Sequence, residues 1–376
     1  MLEPATAKRI ACFLPDMGGG GAERVMLASI RDLVRRGHAV DLLLMEAEGA
    51  LLGLLPPEVR VIDLKARRIR DSVMPLRRYL RREKPDALHA QMWPMTVVAV
   101  IAHRLAGSRA RLLISDQSAL SPHMKTPLQL RALAWSARMF YPRADFRVMC
   151  AADAATDLAR VSGLDAGMFE IITNPIEPPA ALETNARVEA LWGEAEGRIL
   201  NVGSLKGQKN QALLLRAFAA SKARGGAKLM ILGEGPLRGE LEALARQLGV
   251  ADRVIMPGFE LDPWPYLAAA DTFVLSSDYE GFPLVLAEAM YSGLRLVATD
   301  CPTGPAELTD NGRFGQLVPC NDAVALAAAI DRAWDLPHDP AGQRTQAVGK
   351  AGPAQIARYS ELLTDPGQPG AQSGPD

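Results

Sequence analysis

The sequence predicts an α/β protein built as two doubly wound, Rossmann-like domains in tandem. Three observations predict it. The chain has 376 residues, too many for one ordinary core and a natural length for two domains of roughly 150–200 residues each. Short apolar runs alternate with helical patterns through the first half, the order that gives a parallel sheet. A proline-rich stretch, "TNPIEPPAALET", then breaks the pattern as an interdomain linker does, and the same alternation starts again.

Each element follows from its local pattern. "RIACFLP" reads as a strand and "GAERVMLASIRDLVRRG" as a helix closed by Gly37. "HAVDLLLM" and "VRVIDL" are the next strands, followed by a basic helix, "PDALHAQ", a helix over 95–106 and "RLLISDQ"; "ADFRVMC" near 144–150 closes the first series. After the linker, "RILNVGSL", "AKLMILGEG", "RVIMPGF", "DTFVLSS" and "LRLVATD" read as strands, each followed by a loop and a helix. "AQIARYSELL" is the last helical pattern, and "TDPGQPGAQSGPD" reads as a disordered tail. The expected divisions are 1–178, 179–350, a helix at 351–364 and a tail at 365–376. Open α/β sheets bind ligands at the carboxyl ends of their strands. Two such domains facing each other would enclose a ligand in a central cleft.

Composition narrows the function. No run of about 18 uncharged apolar residues occurs, so no membrane-spanning helix is expected. The N-terminal stretch lacks the pattern of a signal peptide. Cys12, Cys150, Cys301 and Cys320 are far apart and make no CxxC pair, so zinc is not expected and reduced thiols in a cytoplasmic setting are. Residues 1–178 carry 25 basic and 19 acidic side chains, net +6, and residues 179–376 carry 17 and 24, net −7. Most of the excess lies in residues 60–84, with 10 basic and 3 acidic side chains. There Leu76, Tyr79, Leu80 and Met74 would form an apolar edge beside Arg77, Arg78, Arg81 and Arg82. Such a helix either lies on an anionic membrane surface through segment 65–84 or packs its apolar edge on the domain. No aromatic-rich or nucleic-acid-reading motif accompanies the charge, so nucleic acid is not an expected partner.

Four loops carry chemistry. "DMGGGGAERVM" follows the first strand, and Gly18 to Gly21 permit close backbone approach at a helix N-terminus that favours an anion. It is not a dinucleotide fingerprint, because Glu23 or Arg24 stands where the third glycine belongs; a plain flexible turn is the alternative. "NVGSLKGQKNQALLLRAF" places Gly203, Gly207 and Lys209 before a helix, with Lys209 set to meet a phosphate, but without the P-loop pattern. In "YEGFPLVLAEAM", Glu280 lies beyond a strand's carboxyl end, Pro283 suits a helix start and Glu288 sits about one turn inside. Two such carboxylates facing one crevice suit a hydroxyl-rich ligand; surface decoration is the bland alternative. "VATDCPTGPAEL" repeats the design, with a strand ending at Asp300, a loop holding Gly304 and a helix near Glu307.

Together these segments resemble the retaining glycosyltransferases of family 4, which have the GT-B fold. The resemblance covers most of the chain: "GGGGAERVMLASIRDLVRRGHAVDLLLM" in the first half, then "NVGSLKGQKNQALLLRAF", "LMILGEGPL", "VIMPGF", "SSDYEGFPLVLAEAMYSG" and "ATDCPTGPAEL" in family order, with Glu280 and Glu288 as the E-x7-E pair. It implies two Rossmann-like domains with the final helix returning to the first. Glu288 would hold the donor's ribose and Glu280 the sugar hydroxyls. Lys209, with backbone N–H groups near Gly281, Phe282, Pro283 and Leu284, would neutralise the diphosphate, and Gly304 would help receive it. Pro257, Gly258 and Phe259 would lie near the base. Gly203 and Ser204 would line the donor site, and Gly19 and Gly20 would reach the donor phosphates from the first domain.

The implied reaction is front-face transfer with retention, without metal or other cofactor, from a nucleotide-sugar donor to a glycan or polyprenyl-linked acceptor. A UDP-sugar is the favoured donor and a GDP-sugar the alternative. The setting would be the cytoplasm, either free or peripheral on the inner face of the cytoplasmic membrane, in surface-polysaccharide synthesis. The chain departs from the family pattern at Ser204, often arginine, and at Gln117, often histidine; Lys206 would assist Lys209, and Gln117 would donate to a sugar hydroxyl. His89 is a second candidate there, with a structural role as its alternative. Two other readings remain: a non-catalytic sugar-nucleotide-binding partner, and a sugar-nucleotide epimerase of similar fold.

Overall fold

The computed structural model describes residues 7–222 and 226–365. The expected tail lies, but for Asp365, outside the described residues. The chain divides into two units: unit 1 runs to Pro175 and resumes at Pro353, and unit 2 spans Ile176–Gly352.

Unit 1 contains β1 (Arg9–Leu14), α1 (Gly21–Arg35), β2 (Ala39–Leu44), β3 (Arg60–Asp63), α2 (Val73–Glu83), β4 (Ala87–Gln91), α3 (Met95–Ala106), β5 (Arg111–Asp116), α4 (Pro127–Phe140), β6 (Phe146–Met149), α5 (Ala152–Ser162) and β7 (Glu170–Ile171). Among the described residues these strands form one parallel seven-stranded sheet in the order β3-β2-β1-β4-β5-β6-β7. The series does not close at "ADFRVMC" as expected: α5 and the two-residue β7 follow, and a strand that short carries no alternation to read. The central strands are apolar on both faces because helices cover both; Ile10, Phe13, Leu42, Leu88 and Leu112 are fully buried.

Unit 2 contains α6 (Ala186–Trp192), β8 (Gly197–Val202), α7 (Gln211–Ala220), β9 (Ala227–Leu232), α8 (Arg238–Gln247), β10 (Val254–Gly258), α9 (Trp264–Ala269), β11 (Thr272–Leu275), α10 (Leu284–Ser292), β12 (Arg295–Thr299), α11 (Pro305–Leu308), β13 (Gln316–Val318), α12 (Ala323–Ala333) and α13 (Pro340–Ala351). Its described strands form a parallel six-stranded sheet, β10-β9-β8-β11-β12-β13. In both sheets the order reverses beside the unit's first sheet strand, between β1 and β4 and between β8 and β11. The loops leaving those strands diverge and open a crevice there.

The last helix, α14 (Pro353–Thr364), belongs to unit 1. It packs on α1, where the buried Ser360 hydroxyl donates to Asp32 Oδ2 at 2.6 Å. Ile356, Tyr359, Leu362 and Leu363 are its buried face.

The basic helix α2 has one of its two expected arrangements. Leu76, Tyr79 and Leu80 are 0%, 4% and 1% exposed, and the Tyr79 hydroxyl donates to Asp41 Oδ2 at 2.6 Å. The apolar edge therefore packs on the domain, and of the four expected residues only Met74, at 50%, stays in solvent. Asp41 also receives Arg60 Nη2 at 2.6 Å. Burial pushes the Asp41 carboxyl up, but the hydrogen bonds from Arg60 and Tyr79 outweigh it and hold the group below its ordinary value.

If α14 completes the core of unit 1, Leu363→Ala costs about 2–5 kcal/mol, read as an earlier urea unfolding transition. The same change at Leu336, 43% exposed, shifts stability by no more than about 0.5 kcal/mol.

Candidate functional site

The loops at the switch point of unit 2 are tied together by side chains. After β8 the chain passes Gly203 and Ser204, makes a short turn over Gly207–Lys209 and enters α7 through Asn210. Asn210 adopts a left-handed φ of 44° and accepts the Leu213 N–H on its side chain, so it caps the helix. After β11 the chain passes Ser276 to Pro283 and enters α10. The Ser276 hydroxyl donates to Lys209 O at 2.8 Å, the Gln208 amide to Tyr279 O at 2.9 Å, and the Asn210 amide to Asp278 Oδ1 at 2.8 Å. The Asp278 N–H donates to Gln208 O at 2.9 Å.

The central contact is an ion pair. Lys209 Nζ lies 2.7 Å from Glu280 Oε1, with side chains 18% and 6% exposed. The same Oε1 accepts the Ser277 hydroxyl at 2.5 Å. The pair closes the gap between the two loops at the carboxyl ends of β8 and β11. Gly203 lines the Lys209 stem: a Cβ there would meet its methylenes at 3.5 Å. Ser204 is half-buried and accepts the Gln211 amide on its carbonyl at 3.2 Å. Lys206 is exposed.

The third loop, between β12 and α11, packs on the second. The Glu280 N–H donates to Pro302 O at 3.2 Å, and the Thr303 hydroxyl donates to Glu280 O. Gly304 has φ 99°, and a Cβ there would stand 2.3 Å from Pro283 Cδ. Only glycine suits that position on both counts. Gly281 is buried, Phe282 is 3% exposed, and Pro283 precedes Leu284, the first residue of α10. Glu288, on the second turn of α10, is 7% exposed. Gly258, with φ 104°, ends β10, and Phe259 beyond it is 42% exposed. Cys301 is part of the third loop; burial pushes its thiol up to about 12, so it is inert as a nucleophile at neutral pH.

In unit 1, Gly19 has φ 112° and Gly20 caps α1, while the Asp16 carboxylate accepts the Gly18 N–H at 2.8 Å. The Gln91 amide donates to Ala22 O at 2.9 Å and ties β4 to the start of α1. Gln117, just past β5, donates to the Tyr359 hydroxyl of α14 at 3.1 Å. His89 lies under the same tyrosine, ring centroids 5.4 Å apart, and its Nε2 is 2.9 Å from the Ser115 hydroxyl. Complete burial lowers the imidazole to about 3, so it is neutral. Asp116 accepts the Trp93 N–H at 2.7 Å and the Tyr141 hydroxyl at 2.6 Å, and burial raises its carboxyl to about 6.

The structure thus groups Gly203, Lys209, Glu280 and the loops of Phe282 and Gly304 in unit 2, and places Gln117 with His89 in unit 1. Ser276, Ser277, Gln208, Asn210, Thr303 and Tyr359 hold these groups and were not singled out in the sequence. Asparagine immediately before an apolar helix is a cap signal that would have found Asn210; Ser277 acts on Glu280, three residues further on, and the others act through contacts distant in sequence.

Comparisons with known proteins show the family of the chain. The family model "Glycosyltransferase Family 4" matches residues 19–178 and "Glycosyl transferases group 1" matches residues 183–352. N-acetylgalactosamine-N,N'-diacetylbacillosaminyl-diphospho-undecaprenol 4-alpha-N-acetylgalactosaminyltransferase of Campylobacter jejuni is 30% identical over 85% of this chain and 88% of its own. The putative glycosyltransferase EpsF of Bacillus subtilis is 27% identical over 87% and 90%. Among solved structures, Anabaena HepE in complex with UDP-glucose superposes with a TM-score of 0.79 at 21% identity over 95% of this chain and 99% of that one. The outer-core galactosyltransferase WaaB gives 0.71 at 20% over 94% and 99%. Both share the fold of two Rossmann-like domains. With a family model on each half and a relative aligned across most of its length, the chain belongs to the group 1, family 4 glycosyltransferases.

Proposed function

We propose that this glycosyltransferase moves a sugar, with retention, from a nucleoside-diphosphate donor, UDP-linked in preference to GDP-linked, to a glycan or polyprenyl-linked acceptor. The observation that carries the reading is the Lys209–Glu280 pair at the switch point, one cation and one carboxylate held at the carboxyl ends of β8 and β11. A diphosphate entering there takes over Lys209 as its counter-ion. Glu280, released, accepts hydrogen bonds from the sugar's hydroxyls, and Glu288 does the same for the ribose. As the sugar departs, charge grows on the diphosphate oxygens, and Lys209 with the N–H groups at the start of α10 stabilises it. The departing phosphate oxygen takes the acceptor's proton, so neither Glu280 nor neutral His89 has to act as base. This chemistry asks for no metal. Gln117, oriented by Tyr359, would donate to an acceptor hydroxyl.

The relatives support donor and acceptor classes: a structural neighbour is described with UDP-glucose, and the Campylobacter relative is named for a diphospho-undecaprenol acceptor. No helix among the described residues is long and apolar enough to cross a membrane. The exposed basic surface of segment 65–84 supports a charge-based contact with the inner face of the cytoplasmic membrane, and four free cysteines suit that reducing compartment.

Two measurements test the reading. Incubation with UDP- and GDP-sugars and polyprenyl-diphosphate-linked glycans yields a product with the donor's anomeric configuration by NMR, at a rate EDTA leaves unchanged. An inverted product, or donor interconverted without acceptor, contradicts it. Second, Lys209→Met leaves a buried carboxylate unpaired and costs about 3–5 kcal/mol of stability, with kcat down about 100–1000-fold. Adding Glu280→Gln returns the melting temperature toward wild type but not the turnover.

A further inference from the structure

Helix α4 leaves an apolar stripe in solvent. Leu128 is 76% exposed, Trp135 61% and Met139 39%, and Ala132 between them is exposed too. At 100° per residue these four positions fall within an arc of roughly 60°. The stripe is carried on a firmly seated helix. Leu133, Ser136 and Ala137 are buried on its inner side, and a reciprocal capping box between Thr126 and Gln129, with Pro127 at the first position, fixes its start.

Charge selects the partner. Arg131 and Arg138, both exposed, border the stripe on one side. Residues 117–144 hold Lys125, Arg131, Arg138 and Arg143 and no Asp or Glu. The acids of the adjoining α5 are Asp153 and Asp157, and Asp157 is paired with Arg160; a tryptophan-bearing apolar stripe with an arginine border and no acid on its own segment is complementary to the interface of an anionic bilayer. The neighbouring helices fit the same partner in part. Helix α3 packs against both α2 and α4, so the basic α2 belongs to the same helical layer. Because α2 turns its apolar residues inward, it offers charge without an apolar residue set to insert beyond Met74.

We propose that α4 is the element that seats unit 1 on an anionic lipid bilayer, with Leu128, Trp135 and Met139 entering the interface and Arg131 and Arg138 meeting lipid phosphates. The loop that begins with Gln117 leads directly into α4, so this seat also sets the height of that loop above the lipid. The proposal goes beyond the transfer reaction and requires no turnover, so its test reads binding alone.

The test is flotation of the full chain with vesicles of phosphatidylcholine, with and without phosphatidylglycerol, at low and high salt. The wild type binds the phosphatidylglycerol vesicles, and part of that binding survives high salt, since apolar insertion is not screened. Leu128→Ser with Trp135→Ser weakens binding at least about tenfold and removes the salt-resistant part, with a melting temperature little changed because both side chains lie mostly in solvent and Trp135 loses only an edge contact with Phe140. Arg131→Ala and Arg138→Ala each weaken low-salt binding about fivefold. Replacing Arg77, Arg78, Arg81 and Arg82 by Ala lowers only the salt-sensitive part. Equal binding by the serine variant and wild type overturns the proposal. So does a wild type that ignores phosphatidylglycerol vesicles, or a self-association in solution that the serine variant abolishes, which would make a second copy the occupant of the stripe. A failed transfer assay leaves the binding result standing, and a failed flotation leaves the transfer result standing.

Discussion

The candidate site in unit 2 depends on one interaction, the ion pair between Lys209 and Glu280 across the point where the strand order reverses. Two charges, 18% and 6% exposed, are taken out of water there, and neither is tolerable alone. The cost is offset by their 2.7 Å contact and by the Ser277 hydroxyl on the same carboxylate oxygen. The surrounding bonds serve that placement. Ser276 and Gln208 tie the two loop backbones, Asn210 caps α7 and reaches Asp278, and Thr303 with Gly304 locks the third loop onto the second. On the proposed reading, a cation and a carboxylate that satisfy each other are also a store of donors and acceptors for a ligand that is anionic at one end and hydroxylated at the other.

Unit 1 is organised on a different principle. Its polar centre, with His89, Ser115, Gln117 and Tyr359, is held by neutral hydrogen bonds and ring stacking instead of a charge pair. Tyr359 arrives on α14, more than 240 residues further along the chain than Gln117. The returning helix therefore does two things: its Leu362 and Leu363 complete a core, and its tyrosine orients the amide nearest the carboxyl end of β5. Its Ser360–Asp32 bond fixes it to α1.

Much of this was legible in the sequence, because it is local. Strands buried on both faces read as continuous apolar runs, and that is why β1, β2, β4, β5, β8, β9, β11 and β12 were found. The loops were visible through glycine, proline and Lys209, residues whose backbone or charge requirements are set by one position. What escaped reading is non-local or too short. Two-residue β7 has no period. Leu76, Tyr79 and Leu80 make α2 amphipathic whether the partner is a membrane or the domain, and only packing decides between them. Thr303 and Tyr359 are ordinary residues until the fold places Glu280 or Gln117 beside them. Helix α4 lies between "RLLISDQ" and "ADFRVMC", where the sequence reading names no element; its apolar spacing is that of any core-facing helix, and exposure, which the sequence does not carry, is what distinguishes its stripe.

The central claim is that a nucleoside diphosphate occupies the crevice at Lys209 and Glu288. The most direct measurement is a thermal-shift panel with UDP, GDP, ADP and NAD on the wild type, Lys209→Met and Glu288→Ala. At about 100 times its dissociation constant, a ligand of the folded state stabilises by roughly 2.7 kcal/mol. The account predicts a selective shift with UDP in the wild type, reduced in both variants. An equal shift in all three proteins, or a shift with NAD and none with any nucleoside diphosphate, would contradict it.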